Sequence, residues 1–397
     1  MCRRRADARG PRRGAASPEW HTRGRSVVRT LIAGGGTGGH LTPALAVAEE
    51  LRAADPDGAV LLVGRRGGVA EALVERAGVP LETLEIRGLD LARPASFAGF
   101  GLRLPRAVNE ARRLIRRFDP DVVVGAAGYV SVPVVLAARR ERVPVLLLEQ
   151  NAVPGRATRL LARGAAGVAV SFPATARRLR RRGAETTGNP VRREFRDGAP
   201  PLGDRPRQLL VWGGSQGARR INRALCACAP GLLRDHPELR LTHQCGQLDA
   251  AEVLALHAGL DPDLQERWEV AAFYTDVAAR VAGADLVVMR AGGSSLAEVS
   301  ALGRPMILVP YPHAGDHQRH NAAPYVAAGA ALLLPDQECD GERLRAAIER
   351  VLGNPERWRE MAAQSRALGR PEATQKVVAM IRRLALARHR GGAAGER

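Results

Sequence analysis

The stretch LIAGGGTGGH, residues 31–40, decides the fold, because an apolar run there passes into glycines and a threonine and then reaches a histidine. Residues 28–33 have the length and apolar character of a short buried strand, and residues 40–51 carry leucine and alanine at helical spacing. Glycine lets a ligand approach the backbone, and the free N–H groups at a helix start attract negative charge. The stretch therefore predicts a strand, a turn and a helix that together bind an anion.

A second stretch of the same kind opens the other half of the chain. GGSQG, residues 213–217, follows an apolar run and precedes a helical pattern, as GGTGG does at residues 35–39. Around each stretch, short apolar strands alternate with helical patterns. This alternation predicts an α/β protein with two Rossmann-like domains on parallel sheets, whose strand carboxyl ends face a shared cleft.

Changes in composition divide the chain into segments. The first residues are rich in Arg, Gly and Pro and have no apolar pattern, so we expect a disordered basic extension and treat Val27 or Val28 as an alternative start. The predicted segments are the extension at 1–25, the first domain at 26–187, a linker at 188–206, the second domain at 207–372, a C-terminal helix at 373–388 and a tail at 389–397.

The composition of the sequence indicates which kinds of partner the protein can bind. The 397 residues are 45% hydrophobic, which predicts a folded protein, and no apolar run approaches the roughly 20 residues that span a bilayer. A net charge of +19 favours phosphorylated substrates or an anionic membrane surface, whereas 4% aromatic content argues against stacking on nucleic acid bases. The five scattered cysteines fit no zinc spacing, and the Asp-Pro-Asp triplets are typical of turns, so we expect no metal site.

A nicotinamide cofactor is one alternative. Gly34, Gly36 and Gly39 fit the pattern G-x-G-x-x-G, but the next strand ends in Gly64, Arg65 and Arg66 without the acid that would hold a ribose. Because the arginine pair could bind a phosphorylated ribose, an NADP-dependent oxidoreductase remains an alternative.

The second half contains a candidate nucleotide site in RAGGSSLAEVSALG, residues 290–303. A strand that ends at Met289 leads into a Gly/Ser turn, and we expect a helix with Ser294 or Ser295 as its N-cap and Glu298 in its first turn. A carboxylate there can accept two hydrogen bonds from a ribose diol. The alternative is a surface glutamate that only interacts with the helix dipole.

Seven short motifs follow one another along the chain. In their order and spacing the chain resembles the MurG family of bacterial N-acetylglucosaminyltransferases, from about Val28 to Ala387. The motifs are GGGTGGH (34–40), GYVS (128–131), EQN (149–151), GNPVR (188–192), GGSQGAR (213–219), RAGGSSLAE (290–298) and DHQRHNA (316–322). The resemblance implies the GT-B fold, with a C-terminal helix that returns to the first domain.

The resemblance also implies a reaction: inverting transfer of GlcNAc from UDP-GlcNAc to the C4 hydroxyl of MurNAc in undecaprenyl-diphosphate-MurNAc-pentapeptide (lipid I), which gives lipid II for peptidoglycan synthesis. No cofactor would be required, and a divalent cation would at most stimulate. Other cell-wall synthesis proteins would be further partners. The alternatives are another GT-B enzyme, such as a UDP-GlcNAc 2-epimerase or a glycolipid glycosyltransferase, or a non-catalytic lipid-binding scaffold.

For the donor, the resemblance implies contacts in the second domain. Glu298 would hold the ribose hydroxyls, Ser215 would meet the diphosphate and Gln318 would contact the sugar nucleotide. Arg192 would approach from the linker, and the backbone of Tyr274 would bind the uracil. The residues that would pass along the nucleotide are Gly293, Ser294, Ser295, Leu296 and Ala297.

For the acceptor, the resemblance implies contacts in the first domain. Thr37, Gly38 and Gly39 would lie near the donor sugar and the acceptor diphosphate, and Asn151 would reach the GlcNAc. His40 would be the general base, since a helix N-terminus keeps an imidazole neutral; the alternative is a helix cap or a bystander.

Three positions depart from the family pattern: Ala127 replaces a usual glycine, Leu148 replaces a common histidine, and Met289 replaces a small or polar residue.

Residues 97–118 combine an apolar helical face with arginines. We expect the face to pack on the sheet, and we expect Phe97 and Phe100 to precede the helix in a glycine-rich loop. The resemblance implies that Phe97 and Phe100, with Arg103 and Arg106, dock the protein peripherally on the cytoplasmic face of the plasma membrane.

Overall fold

The computed structural model describes residues 27–34, 38–65, 74–75, 77–84, 94–180, 183–214, 216–312 and 316–394. Side chains are described for these residues except 38, 40, 94–102 and 391–394.

The first domain is built on a seven-stranded parallel sheet with the strand order β3-β2-β1-β4-β5-β6-β7. Its strands are β1 (Arg29–Ala33), β2 (Ala59–Arg65), β3 (Leu81–Leu84), β4 (Val122–Gly125), β5 (Val145–Glu149), β6 (Gly167–Val170) and β7 (Ala184–Thr186). The helices are α1 (Gly38–Ala54), α2 (Pro94–Phe118), α3 (Ser131–Arg140), α4 (Arg156–Ala162) and α5 (Pro173–Leu179). Leu31 of the central strand β1 pairs with Leu61 on one side and Val123 on the other.

The second domain repeats this plan with a six-stranded parallel sheet in the order β10-β9-β8-β11-β12-β13. Its strands are β8 (Gln208–Trp212), β9 (Arg240–Gln244), β10 (Trp268–Ala271), β11 (Leu286–Met289), β12 (Met306–Leu308) and β13 (Ala331–Leu333). The helices are α6 (Arg219–Asp235), α7 (Ala250–Ala258), α8 (Pro262–Arg267), α9 (Val277–Gly283), α10 (Gly293–Ala301), α11 (His317–Ala327), α12 (Gly341–Leu352) and α13 (Pro355–Leu368). Short 3₁₀ turns lie at Arg193–Phe195 and Asp336–Glu338. The predicted pair of Rossmann-like domains is confirmed.

The last helix, α14 (Ala373–Ala394), leaves the second domain and packs on the first. Ile381 and Val377 are fully buried in a cluster with Ile32 of β1. The predicted return of the C-terminal helix is therefore confirmed. The helix also continues past the predicted end at residue 388, where His389 Nε2 lies 2.8 Å from Asp121 Oδ1 and attaches this turn to the first sheet.

Helix α2 has the predicted apolar face, with Val108, Ala111 and Ile115 buried against the first sheet. The prediction of a loop around Phe97 and Phe100 is wrong, because the helix begins at Pro94, and proline is favoured in a first helical turn. The side chains of both phenylalanines lie outside the described residues, whereas Arg103 and Arg106 are exposed. None of the helices in the described ranges has both the length and the hydropathy to cross a bilayer.

The loop after β4 contains Ala127, one of the departures from the family pattern. Ala127 has φ of 60° and Gly128 has φ of 77°, so consecutive residues adopt the left-handed conformation. This conformation costs an ordinary residue about 1–2 kcal/mol, and glycine avoids the cost. Ala127 therefore keeps a backbone shape that suits glycine and bears the strain itself.

Candidate functional site

Two helix N-termini from different domains meet in the cleft. The Ser294 hydroxyl, at the start of α10, donates to the carbonyl oxygen of Gly39, at the start of α1, over 2.7 Å. A Cβ added to Gly293 would lie 2.5 Å from the carbonyl oxygen of Gln150, so the backbones approach as only glycine permits. Both N-termini carry partial positive charge and unpaired N–H groups, which makes their junction suitable for a phosphorylated ligand.

Helix α10 starts earlier than its sequence indicates. Gly292, not Ser294 or Ser295, is the N-cap, and no side chain caps the helix. The Ser294 hydroxyl is used instead between the domains, where it also accepts a hydrogen bond from Asn189 Nδ2. Glu298 is consequently the sixth residue of the helix and lies in the second turn. The prediction that it lies in the first turn, where the dipole favours it, is wrong.

The Glu298 carboxylate is buried and paired instead with Arg192. Arg192 Nε lies 3.2 Å from Glu298 Oε1, and its Nη1 lies 2.6 Å from Glu194. Removal from water raises the pKa of Glu298 to about 7, and the charge of Arg192 opposes this rise. The pKa of Glu298 is therefore higher in the folded than in the unfolded protein. Ionisation of the unliganded carboxylate lowers the free energy of unfolding, and this loss is complete above about pH 7.

The four other residues of α10 that were expected to pass along the nucleotide differ in how exposed they are. Leu296 is fully buried in the core of the second domain, whereas Gly293, Ser295 and Ala297 are partly exposed beside the cleft. Leu296 can therefore meet a ligand only through its backbone.

The second glycine turn is held from behind by the loop after β9. The Gly213 N–H donates to the Gln244 carbonyl over 2.9 Å, and a Cβ on Gly246 would lie 2.0 Å from the Gly217 nitrogen. Ser215, the expected diphosphate ligand in this turn, lies outside the described residues.

Gln244 is a site residue that sequence reasoning missed. Its side-chain oxygen accepts a hydrogen bond from the Tyr274 N–H over 3.1 Å, while its backbone supports the glycine turn. Through its side chain and its backbone, Gln244 thus connects the position expected to bind uracil with the turn expected to bind diphosphate. Its place at the carboxyl end of β9 is the signal that could have identified it.

Tyr274 itself is buried, and its ring lies under the Arg280 guanidinium, 3.6 Å from Cζ to the ring centroid. Gln318 is half-buried at the start of α11, and its Oε1 accepts from the Tyr311 N–H over 2.9 Å.

The first-domain residues are only partly described. Gly39 is exposed, and a Cβ there would meet no atom of the described residues within 4 Å, so these residues leave space beside the first turn of α1. His40 and Gly38 lie in that turn, but their side-chain environments are outside the described residues, as is the whole of Thr37. Asn151 donates through Nδ2 to Glu149 Oε1 over 3.1 Å, which fixes its amide at the end of β5.

Asn321 of α11 is a second residue that sequence reasoning missed, although it lies in the DHQRHNA motif. It is fully buried, and its Oδ1 accepts from the Ala152 N–H over 2.8 Å. Its Nδ2 donates to Asn151 Oδ1 over 3.1 Å and faces the Ala291 carbonyl at 3.3 Å. One amide therefore joins the ends of β5 and β11 across the cleft.

Among the described residues, no three His, Cys, Asp or Glu side chains gather into a group that could hold a metal ion. The site offers helix N-termini for an anion, a buried carboxylate for hydroxyl groups, and an open position beside α1.

Comparisons with known proteins agree with this architecture. The glycosyltransferase family 28 N-terminal domain matches residues 30–170, and the C-terminal domain of the same family matches residues 208–377. A UDP-N-acetylglucosamine–N-acetylmuramyl-(pentapeptide) pyrophosphoryl-undecaprenol N-acetylglucosamine transferase from Anaeromyxobacter sp. (strain Fw109-5) is 41% identical over 84% of this chain and 88% of its own length. The crystal structure of Acinetobacter baumannii MurG superposes with a TM-score of 0.70 and 31% identity, covering 90% of this chain and 99% of that one.

The chain belongs to the MurG family.

Membership confirms the resemblance, the GT-B fold and the class of enzyme, an N-acetylglucosaminyltransferase. A UDP-GlcNAc 2-epimerase from Neisseria meningitidis, crystallised with UDP-GlcNAc, also superposes, with a TM-score of 0.62, covering 90% of this chain and 100% of that one. At 14% identity that likeness shows the shared fold alone. The MurG family motifs coincide with the residues that meet in the cleft: Ser294, Glu298, Asn151 and Asn321.

The Asn321 contact generates a stability prediction. Asn321→Ala removes the partner of the buried Ala152 N–H and of the half-buried Asn151 amide oxygen, and a lost partner costs about 1–3 kcal/mol for a buried group. We expect the free energy of unfolding, measured with urea, to fall by about 2–4 kcal/mol. Asn109→Ala, on the exposed face of α2, is the matched control and should change it by less than about 0.5 kcal/mol. Equal losses for the two variants would contradict the role given to Asn321.

Proposed function

We propose that this protein transfers GlcNAc from UDP-GlcNAc to the C4 hydroxyl of MurNAc in lipid I, with inversion at the anomeric carbon, to give lipid II and UDP. The observation that carries the proposal is the junction of the α1 and α10 N-termini, with the Glu298–Arg192 pair beside it, in a chain of the MurG family. The reaction needs no cofactor, and a divalent cation would only stimulate it.

The donor would lie along the second domain. The Glu298 carboxylate would accept hydrogen bonds from the ribose diol, and the exposed edge of α10 would follow the nucleotide. Ser215 would meet the diphosphate, Tyr274 the uracil and Gln318 the sugar. Arg192 is paired with Glu298 and would lie close enough to the nucleotide to interact with its phosphate charge.

The acceptor would approach the first domain, with its diphosphate near Thr37, Gly38 and Gly39. In a single displacement the MurNAc C4 oxygen attacks C1 of GlcNAc, and its proton passes to His40. The bond from C1 to the β-phosphate oxygen breaks, and UDP leaves with the electron pair. Helix N-termini and Arg192 stabilise the charge that develops on UDP, which lowers the barrier. Asn151 would orient the GlcNAc.

His40→Ala tests the reaction and its base. We expect kcat, measured as UDP release after a lipid I analogue is added, to fall about 10²–10⁴-fold, because general-base catalysis acts in the transition state. Affinity for UDP-GlcNAc should change little. His236→Ala, remote from the cleft, is the control. A loss below about tenfold would assign His40 to binding or structure, and no UDP release from the unmodified protein would refute the function.

Glu298→Gln tests the ribose contact through pH. Because burial raises the pKa of Glu298 to about 7, the ionised fraction should rise from about one tenth at pH 6 to about nine tenths at pH 8. The ionised carboxylate accepts charge-assisted bonds from both hydroxyls, whereas the protonated group accepts weaker ones, so we expect UDP-GlcNAc affinity to rise up to about tenfold over this range. Titration calorimetry should show this rise in the unmodified protein and not in the variant.

The same variant also separates a ribose ligand from a structural residue. At pH 8, Glu298→Gln should weaken UDP binding by about one to two powers of ten. It should weaken 2′-deoxy-UDP binding less, since that nucleotide already lacks one donor. Equal losses for the two nucleotides would exclude Glu298 as the ribose ligand.

We propose further that the protein works peripherally at the cytoplasmic face of the plasma membrane, bound through the start of α2. Arg103 and Arg106 are exposed there, which suits anionic lipid headgroups, and the adjacent Phe97 and Phe100 would enter the interface. Other cell-wall synthesis proteins would be its neighbours.

Vesicle sedimentation tests the membrane site. Anionic vesicles should bind the protein more than neutral ones, and 1 M salt should weaken binding because screening then acts within about 3 Å. Phe97→Ser with Phe100→Ser should reduce binding and leave UDP affinity unchanged. Leu160→Ser, an exposed apolar residue of α4, is the control. Equal binding to neutral and anionic vesicles would contradict the proposal.

A further inference from the structure

A cavity in the second domain adjoins the candidate donor site, and the arginines in its wall have no role in the proposed reaction. It has a volume of about 950 Å³, which is within the usual size of a ligand site. Gln216 and Gly217 of the second glycine turn line it, and so does Gln318, the residue proposed to contact the donor sugar. The cavity is therefore continuous with the place where the transferred sugar would lie.

One wall of the cavity is a row of arginines on α6. Arg219, Arg220 and Arg223 line it, and residues three and four apart on a helix share one face. Their side chains are 63%, 49% and 65% exposed. Four residues of helix span about 6 Å, so the row offers several cationic groups within the length of a short peptide.

Each of these arginines has its Nε atom near an acidic side chain, and Arg219 alone of the three has a hydrogen bond there. Arg219 Nε lies 3.0 Å from Asp249, Arg220 Nε lies 3.3 Å from Asp336, and Arg223 Nε lies 3.9 Å from Glu252. All three side chains are about half exposed or more, so their guanidinium groups are accessible to an anion in the cavity.

Two acidic side chains at the base of this wall, Asp249 and Asp336, have both carboxylate oxygens paired with other protein groups. Asp249 Oδ1 faces Arg219, and its Oδ2 accepts from Asn222 Nδ2 over 2.8 Å. Asp336 Oδ2 faces Arg220, and its Oδ1 accepts from Arg290. Both carboxylates are largely buried, whereas Asp340, which also lines the cavity, is exposed and accepts through Oδ1 from the Arg343 N–H over 2.8 Å. The three exposed arginines therefore outnumber the one exposed acid of the lining.

We infer that this cavity binds the anionic peptide stem of the acceptor. The inference rests on the proposed function, in which the acceptor sugar carries a pentapeptide on the carbon next to its reacting hydroxyl. A peptide joined through its N-terminus keeps a free terminal carboxylate, which a guanidinium fork binds well. Five extended residues reach about 17 Å, enough to pass from the sugar at Gln318 along the arginine row.

The test compares three acceptors in the UDP-release assay: the pentapeptide-bearing lipid I analogue, the same compound with its peptide carboxylates amidated, and one without peptide. The triple variant Arg219→Gln, Arg220→Gln, Arg223→Gln should raise KM for the first acceptor about tenfold, with kcat little changed, because the lost contact is equal in ground and transition states. KM for the other two acceptors should stay as in the unmodified protein. Arg234→Gln, an exposed arginine at the far end of α6, is the matched control.

Each other result has a distinct meaning. An equal rise in KM for all three acceptors would show that the arginines bind the acceptor diphosphate, and no rise would show that they bind nothing; either overturns the inference. A loss of UDP-GlcNAc affinity in the triple variant would assign the row to the donor and overturn it too. Absence of UDP release by the unmodified protein with every acceptor would instead refute the proposed function, and with it the inference.

Discussion

The cleft depends on a contact in which the backbone of one domain touches the backbone of the other. Gly293 lies so close to the Gln150 carbonyl that any side chain would collide with it, and the Ser294 hydroxyl closes the junction by bonding to Gly39. Asn321 satisfies the buried polar groups around this junction, which would otherwise oppose association. The relative position of the two helix N-termini, and so the place where phosphate charge can lie, follows from this contact.

The electrostatics of the cleft follow from the same closeness. Since α10 is pressed against the first domain, Glu298 in its second turn is removed from water and cannot rely on solvent to carry its charge. Arg192, from the segment that joins the domains, partly replaces water in stabilising the charge of this carboxylate. A buried pair of this kind contributes little net stability, because desolvation offsets most of the attraction. Its value is that the carboxylate is held in place for a ligand with hydroxyl groups.

Much of the fold could be predicted because it depends on local patterns. Short apolar runs predicted the strands of both sheets, and helical spacing predicted the buried face of α2 with Ala111 and Ile115. The start of α10 was misplaced because serine normally caps a helix, whereas Ser294 bonds across the cleft to a residue 255 positions earlier. The predicted start of α2 lay too late in the chain, because the glycines and phenylalanines near Phe97 are locally typical of a loop.

The candidate site could be predicted only in part, for a related reason. Motifs located Glu298, Asn151 and Gln318, but they gave no indication that Arg192 and Glu298 would pair or that Asn151 would be bonded to Asn321. Gln244 was missed because its role depends on two loops meeting behind β9, which no short window of sequence contains. Long-range partners are therefore the part of the site that only three-dimensional structure supplies.

The returning helix α14 has a consequence for the order in which the protein can fold during synthesis. The first domain leaves the ribosome long before residues 373–394 have been made, yet Val377 and Ile381 complete the cluster that contains Ile32. Helix α1 covers part of the same face, but until translation ends the part that α14 covers remains exposed to the cell as apolar surface. The nascent chain is therefore most vulnerable to aggregation, and most in need of a chaperone, while its second domain is still being synthesised.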